Sequence, residues 1–162
     1  MDFQSSRVNH ITGTPYIGAN TPYHAGPGGY MGAFIAWDAA RGRKVWEIHE
    51  KFPLWSGSVV TAGDVVFYGT LDGWFKAADA KTGTVLWKFK VGSGVVGCPI
   101  TYTGADGKQY VAVYAGIGGD WALLAGDLRS DDPSDIRSPT DFAPDLARHT
   151  SQGGIVWIFA LH

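Results

Sequence analysis

The chain has little charge, almost no sulfur chemistry and no long apolar run. Asp, Glu, Lys and Arg make up 17% of its 162 residues, against about 25% in an average soluble domain. The formal charge is −2 with a pI near 6.2, and lysine and arginine are scattered, so there is no basic surface for nucleic acid or anionic lipid to bind. Cys98 is the only cysteine, which excludes an internal disulfide and a cysteine-based zinc site within one chain. It is expected to serve as a small buried apolar residue. No stretch approaches the ~18 apolar residues of a membrane-crossing helix. The opening MDFQSSRVNH lacks the basic start and apolar centre of a signal peptide. The histidines at 10, 24, 49, 149 and 162 show no paired metal-ligand spacing, and no Gly-x-Ser-x-Gly or other nucleophile motif is present.

What is abundant is glycine, 23 residues, about double the usual ~7% share. That composition favours tight turns between many short strands. The chain also repeats itself. Displaced by 41 residues, it matches at Gly32/Gly73, Phe34/Phe75, Ala36/Ala77, Asp38/Asp79, Ala39/Ala80, Gly42/Gly83 and Trp46/Trp87. A period of about 40 to 45 residues with strand-like patterning is the signature of propeller blades, each a four-stranded antiparallel meander. The expected fold class is therefore all-β, a partial β-propeller of about three blades.

Within the second copy, alternation and turn residues predict strands A (54–63), B (64–70), C (73–79) and D (84–91). The expected units are a partial blade at 11–50 contributing strands B, C and D, a complete blade at 51–91, and a partial last blade at 92–162 contributing A, B and C. In the first unit, B is placed at 14–19. A long loop at 117–152 interrupts the last unit. A ring needs at least about four blades, so three form an arc with open ends. The final strand, Ile155 to Leu161, is apolar on both faces, and a bare strand edge of that kind invites pairing. Self-association through the open edges, or cover by further blades, is expected.

Turn chemistry assigns roles to the repeated residues. In Asp79-Ala80-Lys81-Thr82-Gly83 the carboxylate can accept backbone N–H groups two and three residues on, and glycine can close the loop in a left-handed conformation. Trp46 and Trp87 recur at one place on strand D, where a large ring packs against the neighbouring blade. In a meander the A–B and C–D turns leave one end of every blade, while the B–C loops and D–A crossings leave the other. The first end reads as architecture. The second carries loops of very unequal length, the arrangement that usually holds a binding site. Trp55 opens strand A at that end, and Gly118-Gly119 followed by Asp120-Trp121 opens the long loop. The glycine-rich GPGGYMG at 26–32 has no following helix and reads as a plain turn. The segment 126–149, with six aspartates and three prolines, lacks the spacing of a calcium loop and reads as a solvated or partner-facing loop.

The two Ala-x-Asp-x-x-x-Gly-x-x-x-Trp stretches resemble the tryptophan-docking motifs of quinoprotein alcohol dehydrogenases, eight-bladed propellers that hold pyrroloquinoline quinone (PQQ). The resemblance runs through nearly the whole chain. GTPYIGA, PGPGGYMGAFIAWDA, LWSGSVVTAGDVVFYGTLDGWFKA, LWKFKVGSGVVGCPITY and QYVAVYAGIGGDW look like consecutive segments of a methanol dehydrogenase large subunit, nearest to the lanthanide-dependent type. TSQGGIVWIFAL resembles the family's last inner-blade strand, whose outer partner comes from the beginning of the protein.

The resemblance implies oxidation of a primary alcohol to an aldehyde with hydride passing to PQQ, a calcium or lanthanide ion as Lewis acid, a cytochrome c-type electron acceptor, and a periplasmic parent enzyme. It matches Trp55 to a tryptophan that contacts the cofactor. Gly119 and Trp121 match a Gly-Gly-Trp region over the cofactor's rim, with Asp120 interrupting the motif here. No segment matches the family's metal ligands, catalytic aspartate or adjacent-cysteine disulfide. The chain is thus expected to be a C-terminal part, inactive alone. The alternative is a non-catalytic repeat scaffold or protein-interaction module built on the same docking motifs.

Overall fold

The computed structural model describes residues 4–5, 12, 19–20, 24–117 and 145–160. Its elements in order are β1 (Gln4–Ser5), β2 (Ala19–Asn20), β3 (Gly32–Asp38), β4 (Arg43–Glu50), β5 (Ser58–Val60), β6 (Val65–Gly69), β7 (Trp74–Asp79), β8 (Val85–Lys90), β9 (Ile100–Thr103), β10 (Gln109–Ala115), α1 (Leu146–His149) and β11 (Ile155–Ala160). All pairing is antiparallel: β1 with β2, β3 with β4, the meander β5-β6-β7-β8, and a sheet ordered β11-β10-β9. The complete four-stranded blade is the one the repeat predicts. Of the expected first-unit B strand, 14–18 lie outside the described residues, and Ala19 pairs with Gln4–Ser5 instead of with β3.

Strand A is shorter than alternation suggests. Its ladder spans only Ser58–Val60, because residues 54–57 satisfy the neighbouring strand by another route: Ser56 Oγ receives the Gly69 N–H at 2.8 Å, where a strand carbonyl would otherwise sit. The glycine-rich segment at 26–32 is a turn, closed by Gly26 N–H to Tyr30 O (2.8 Å) and Gly29 N–H to Gly26 O (3.0 Å).

Three sheets pack face to face through alternating side chains. Between the β3–β4 and β5–β8 sheets lie Val66, Tyr68 and Ala78, with Phe34, Trp46, Ile48 and Leu54 against them. Between the β5–β8 and β9–β11 sheets lie Phe67, Phe75, Ala77, Val91, Val95, Val111 and Val113, flanked by Phe89, Trp157 and Phe159. The outer faces of the end sheets are uncovered: Ile35, Trp37 and Val45 on one, and Ile100, Tyr102, Tyr114, Val156 and Ile158 on the other are exposed. β11 is a free edge.

The repeated tryptophans bridge sheets. Trp46 Nε1 donates to Ala80 O at 2.9 Å, and its indole lies flat against Gly83, where an added Cβ would come within 2.8 Å of the ring. Gly83 is therefore required twice, by its φ of +75° and by the indole above it. Trp87 meets Phe159 edge-on at 5.2 Å and Phe75 at 6.3 Å.

The turn beneath Trp46 closes as its sequence indicates. Asp79 Oδ1 accepts Lys81 N–H (2.9 Å), Thr82 N–H (2.8 Å) and Thr82 Oγ1 (3.0 Å), and Asp38 accepts Arg41 N–H at 3.1 Å and its guanidinium at 2.9 Å. The Thr82 N–H, then its hydroxyl, holds the Asp79 carboxyl below the usual carboxylate range, and the Arg41 guanidinium does the same for Asp38. A depressed folded-state pKa contributes stability that is present above the unfolded value, near pH 4, and disappears as pH falls through the folded value. Asp79→Asn is accordingly expected to melt below the wild type at neutral pH, with the gap closing in thermal scans taken from pH 5 down to pH 2. A gap constant with pH would contradict this assignment.

One network joins the first two sheets through buried charge. Glu50, 8% exposed at the end of β4, accepts the Tyr68 hydroxyl at 2.8 Å and the Lys76 ammonium at 2.6 and 2.8 Å. Burial, then the Glu50 charge, pushes the Tyr68 phenol far above its ordinary range, so it remains a neutral donor.

Candidate functional site

Trp55 lies in the crossing from β4 to β5, at the end of the sheets that also carries the 70–73 turn, the 91–99 crossing and the 116–154 connection. It is half-buried and packs, with Val96 and Ile117, against Phe52, Leu71 and Leu146. These residues come from four connections, which backbone bonds stitch together. Val95 N–H donates to Thr70 O (3.0 Å), Gly116 N–H to Gly94 O (2.8 Å) and Val91 N–H to Gly73 O (2.9 Å), while Ser93 Oγ reaches Ser151 O at 2.7 Å. The tight 70–73 turn is itself fixed by Thr70 Oγ1, which donates to Asp72 Oδ1 (2.6 Å) and accepts Trp74 N–H (3.0 Å).

The sequence expects the loops of unequal length at this end, and Trp55 stands among them. Gly119 and Trp121 lie outside the described residues. Ile117, two residues before Gly119, packs against the same cluster as Trp55, so the long connection departs from beside the indole. It also returns there. Sequence reading treats 117–152 as one loop, whereas its last part forms the single turn α1, with Leu146 1% exposed and plugged between Phe52 and Leu71. Lys51 Nζ stands 3.2 Å from His149 Nε2 and Phe52 meets the His149 ring edge-on, holding the same turn from its outer side. The acidic, proline-rich segment also holds Leu128, Ile136 and Phe142, and nothing in its pattern singles out Leu146.

Cys98 departs from expectation. It is exposed, not buried. It precedes β9, which is the edge of its sheet, so only one side is covered: its Sγ rests where a Cβ on Gly57 would collide with it. Among the described residues no group of three or more His, Cys, Asp or Glu is placed to hold a metal, and no helix is long and apolar enough to cross a membrane. A groove of about 510 Å³ opens between Leu86, Trp87, Phe67, Ala77 and Phe159. It shares no residue with the Trp55 cluster and borders the Thr61–Val65 turn, at the architectural end.

The glucose/ethanol/alcohol dehydrogenase β-propeller domain family matches residues 47–111, from within β4, through the whole meander, into β10. The chain is 50% identical over 99% of its length to a lanthanide-dependent methanol dehydrogenase of Methylacidiphilum fumariolicum, covering 27% of that enzyme. It superposes on a europium-containing methanol dehydrogenase with a TM-score of 0.83 over 98% of its residues at 50% identity, covering 29% of that chain. The match places residues 47–111 in the PQQ β-propeller family. Methanol dehydrogenase (cytochrome c) subunit 1 of Methylobacterium organophilum is 41% identical over 99% of the chain. The described sheets form an arc that does not close, and the chain spans about a quarter of the length of these curated relatives.

At the Trp55 end a half-buried indole stands on an apolar floor of Phe52, Leu71 and Leu146, and backbone approaches closely at Gly94, where an added Cβ would crowd Leu71 O and Ile117.

Proposed function

We propose that this chain supplies part of the PQQ site of a quinoprotein alcohol dehydrogenase that oxidises methanol or another primary alcohol to the aldehyde. The observation that carries the reading is Trp55, a half-buried indole on an apolar floor at the loop end of the arc, within a family whose members are named for methanol, ethanol and alcohol dehydrogenation. PQQ, when bound, supplies a two-electron acceptor for hydride. This chain's contribution is to bind and orient. Trp55 offers a flat apolar face, Phe52 and Leu146 keep the far side of the cluster dry, and Gly119 with Trp121 completes the contact from the long connection. The base and the ligands of a calcium or lanthanide ion come from blades outside these residues. A cytochrome c-type protein takes the electrons, in keeping with one relative's name, and the enzyme works in the periplasm. Alone, without those blades, the chain does not turn over alcohol.

Titration with PQQ, followed by tryptophan fluorescence, tests the reading. The expected result is saturable quenching that weakens about 5- to 10-fold in Trp55→Ala, the loss of one aromatic stacking contact. Quenching that is identical in wild type and Trp55→Ala, or absent up to high micromolar quinone, supports the scaffold alternative instead. Turnover by the isolated chain with alcohol, PQQ, metal and an artificial acceptor would falsify the statement that the chain is inactive alone.

A further inference from the structure

Trp55 sits on a crossing only seven residues long, 51–57, between the end of β4 and the start of β5. Both ends of that crossing are tied by side-chain hydrogen bonds in addition to the backbone ladders. At the first end, the Glu50 carboxylate leaves the β4 ladder for the next sheet, accepting Tyr68 Oη from β6 and Lys76 Nζ from β7. The backbone at the same point is caught by Met31 N–H, which is shared between Glu50 O (3.2 Å) and Lys51 O (3.3 Å). Phe52 O lies over Gly32, where any side chain would strike it. At the second end, Ser56 Oγ takes Gly69 N–H at 2.8 Å and donates to Gly57 O at 2.5 Å. Pro53, with its fixed φ, stands between the two ties. Two anchors six residues apart, with a buried phenylalanine and a proline between them, leave the intervening backbone little freedom.

We propose that Glu50 and Ser56 are positioning residues for Trp55: the inter-sheet Glu50–Lys76–Tyr68 network and the Ser56–Gly69 bond bracket the crossing and set the indole against Phe52, Leu71 and Leu146. The consequence for catalysis rests on the proposed quinone site; the positioning itself does not. A charged network at this seam also couples two sheets to one side chain. Any change in the spacing of the β3–β4 and β5–β8 sheets is transmitted to the ring through Glu50, while Ser56 ties it to the sheet it belongs to. Buried, fully partnered polar groups specify a single arrangement in this way, which is what a stacking surface requires when its partner is held to a fraction of an ångström.

The test is fluorine NMR of the full chain carrying 5-fluorotryptophan, whose seven tryptophans give separate resonances, with Trp55 assigned by Trp55→Phe. Ser56→Ala and Glu50→Gln are expected to move or split the Trp55 resonance while Trp157, in the far sheet, keeps its position. Ser56→Thr, which retains the hydroxyl, is expected to restore it. Val111→Ala, a core truncation between the other two sheets, serves as the control for mere loss of stability. A Trp55 line unchanged by both bracket variants, or moved as far by Val111→Ala, overturns the proposal. PQQ titration of the same samples is expected to show about threefold weaker binding for Ser56→Ala, less than the loss in Trp55→Ala, because Ser56 acts through that ring. If the wild type fails to bind PQQ, the functional reading falls, and the resonance positions still decide whether Glu50 and Ser56 place the ring.

Discussion

Trp46→Ala is expected to destabilise the chain by about 2–3 kcal/mol in urea denaturation, somewhat below the ~3–5 of a fully enclosed tryptophan, because the indole is half-buried. Three contributions are lost together: the ring's contact with Gly83, its packing beside Phe34 at 5.6 Å, and the Nε1 bond to Ala80 O. Trp46→Phe isolates the last of these and is expected to cost about 1 kcal/mol for the hydrogen bond, with a smaller loss of area. The complementary change, Gly83→Ala, meets two obstacles. Its φ of +75° disfavours any side chain by about 1–2 kcal/mol, and the new methyl would push the indole off its seat. If the two residues act as one dock, their costs are not additive. In the Trp46→Ala background Gly83→Ala should cost only its backbone part. Additive costs in that double-mutant cycle would show that the turn and the indole are neighbours without mutual dependence.

Lys76→Met is the second large effect, a loss of about 3–5 kcal/mol. Breaking a buried ion pair from one side leaves the other charge without a partner, and that penalty exceeds what the intact pair contributes. Here the stranded group is Glu50, 8% exposed, with only the Tyr68 hydroxyl remaining. The double variant Glu50→Gln/Lys76→Met removes both charges while keeping an acceptor for Tyr68. It is expected to recover most of the loss, because a neutral packed pair at such a site is often as stable as the ionic one. Chemical denaturation of the three variants decides the matter. A double variant no better than Lys76→Met would mean that the charges themselves, not the avoidance of an orphan, hold this seam.

These two seams differ in how far they could be read from sequence. The Trp46 dock announces itself, since Asp79, Gly83 and Trp87 repeat Asp38, Gly42 and Trp46 at one spacing, and each has a local reason to be what it is. Asp79 binds the N–H groups of its own turn, and Gly83 takes a positive φ. The Glu50 network has no such periodic trace. Its members lie 18 and 26 residues apart and meet only because β4 lies against β6 and β7 across a sheet interface. The available signal was Lys76 itself, a charged residue in the otherwise apolar WFKAA, at a position whose alternation points toward the preceding sheet. Of the site, Trp55 and the end of the sheet it occupies were legible, because meander connectivity fixes which loops share an end. The returning turn with Leu146 was not, since an acidic segment with three prolines gives no period to follow. Cys98 shows the opposite failure. Residue type argued for burial, and its place at a sheet edge decided otherwise.

The Trp46 dock also has a direction. Trp46, on the outer strand of one sheet, reaches forward to the turn of the next, and the two end faces of the arc are unlike: Ile35, Trp37 and Val45 at one, Tyr102, Tyr114 and Ile158 at the other. Two copies joined by one face of each kind would touch head to tail, with no twofold axis between them. Such contacts propagate until the accumulated rotation brings the last head to the first tail, and they run on as a filament when it does not. The unlike ends of the arc thus separate closed pairs from rings and filaments among the assemblies open to this polypeptide.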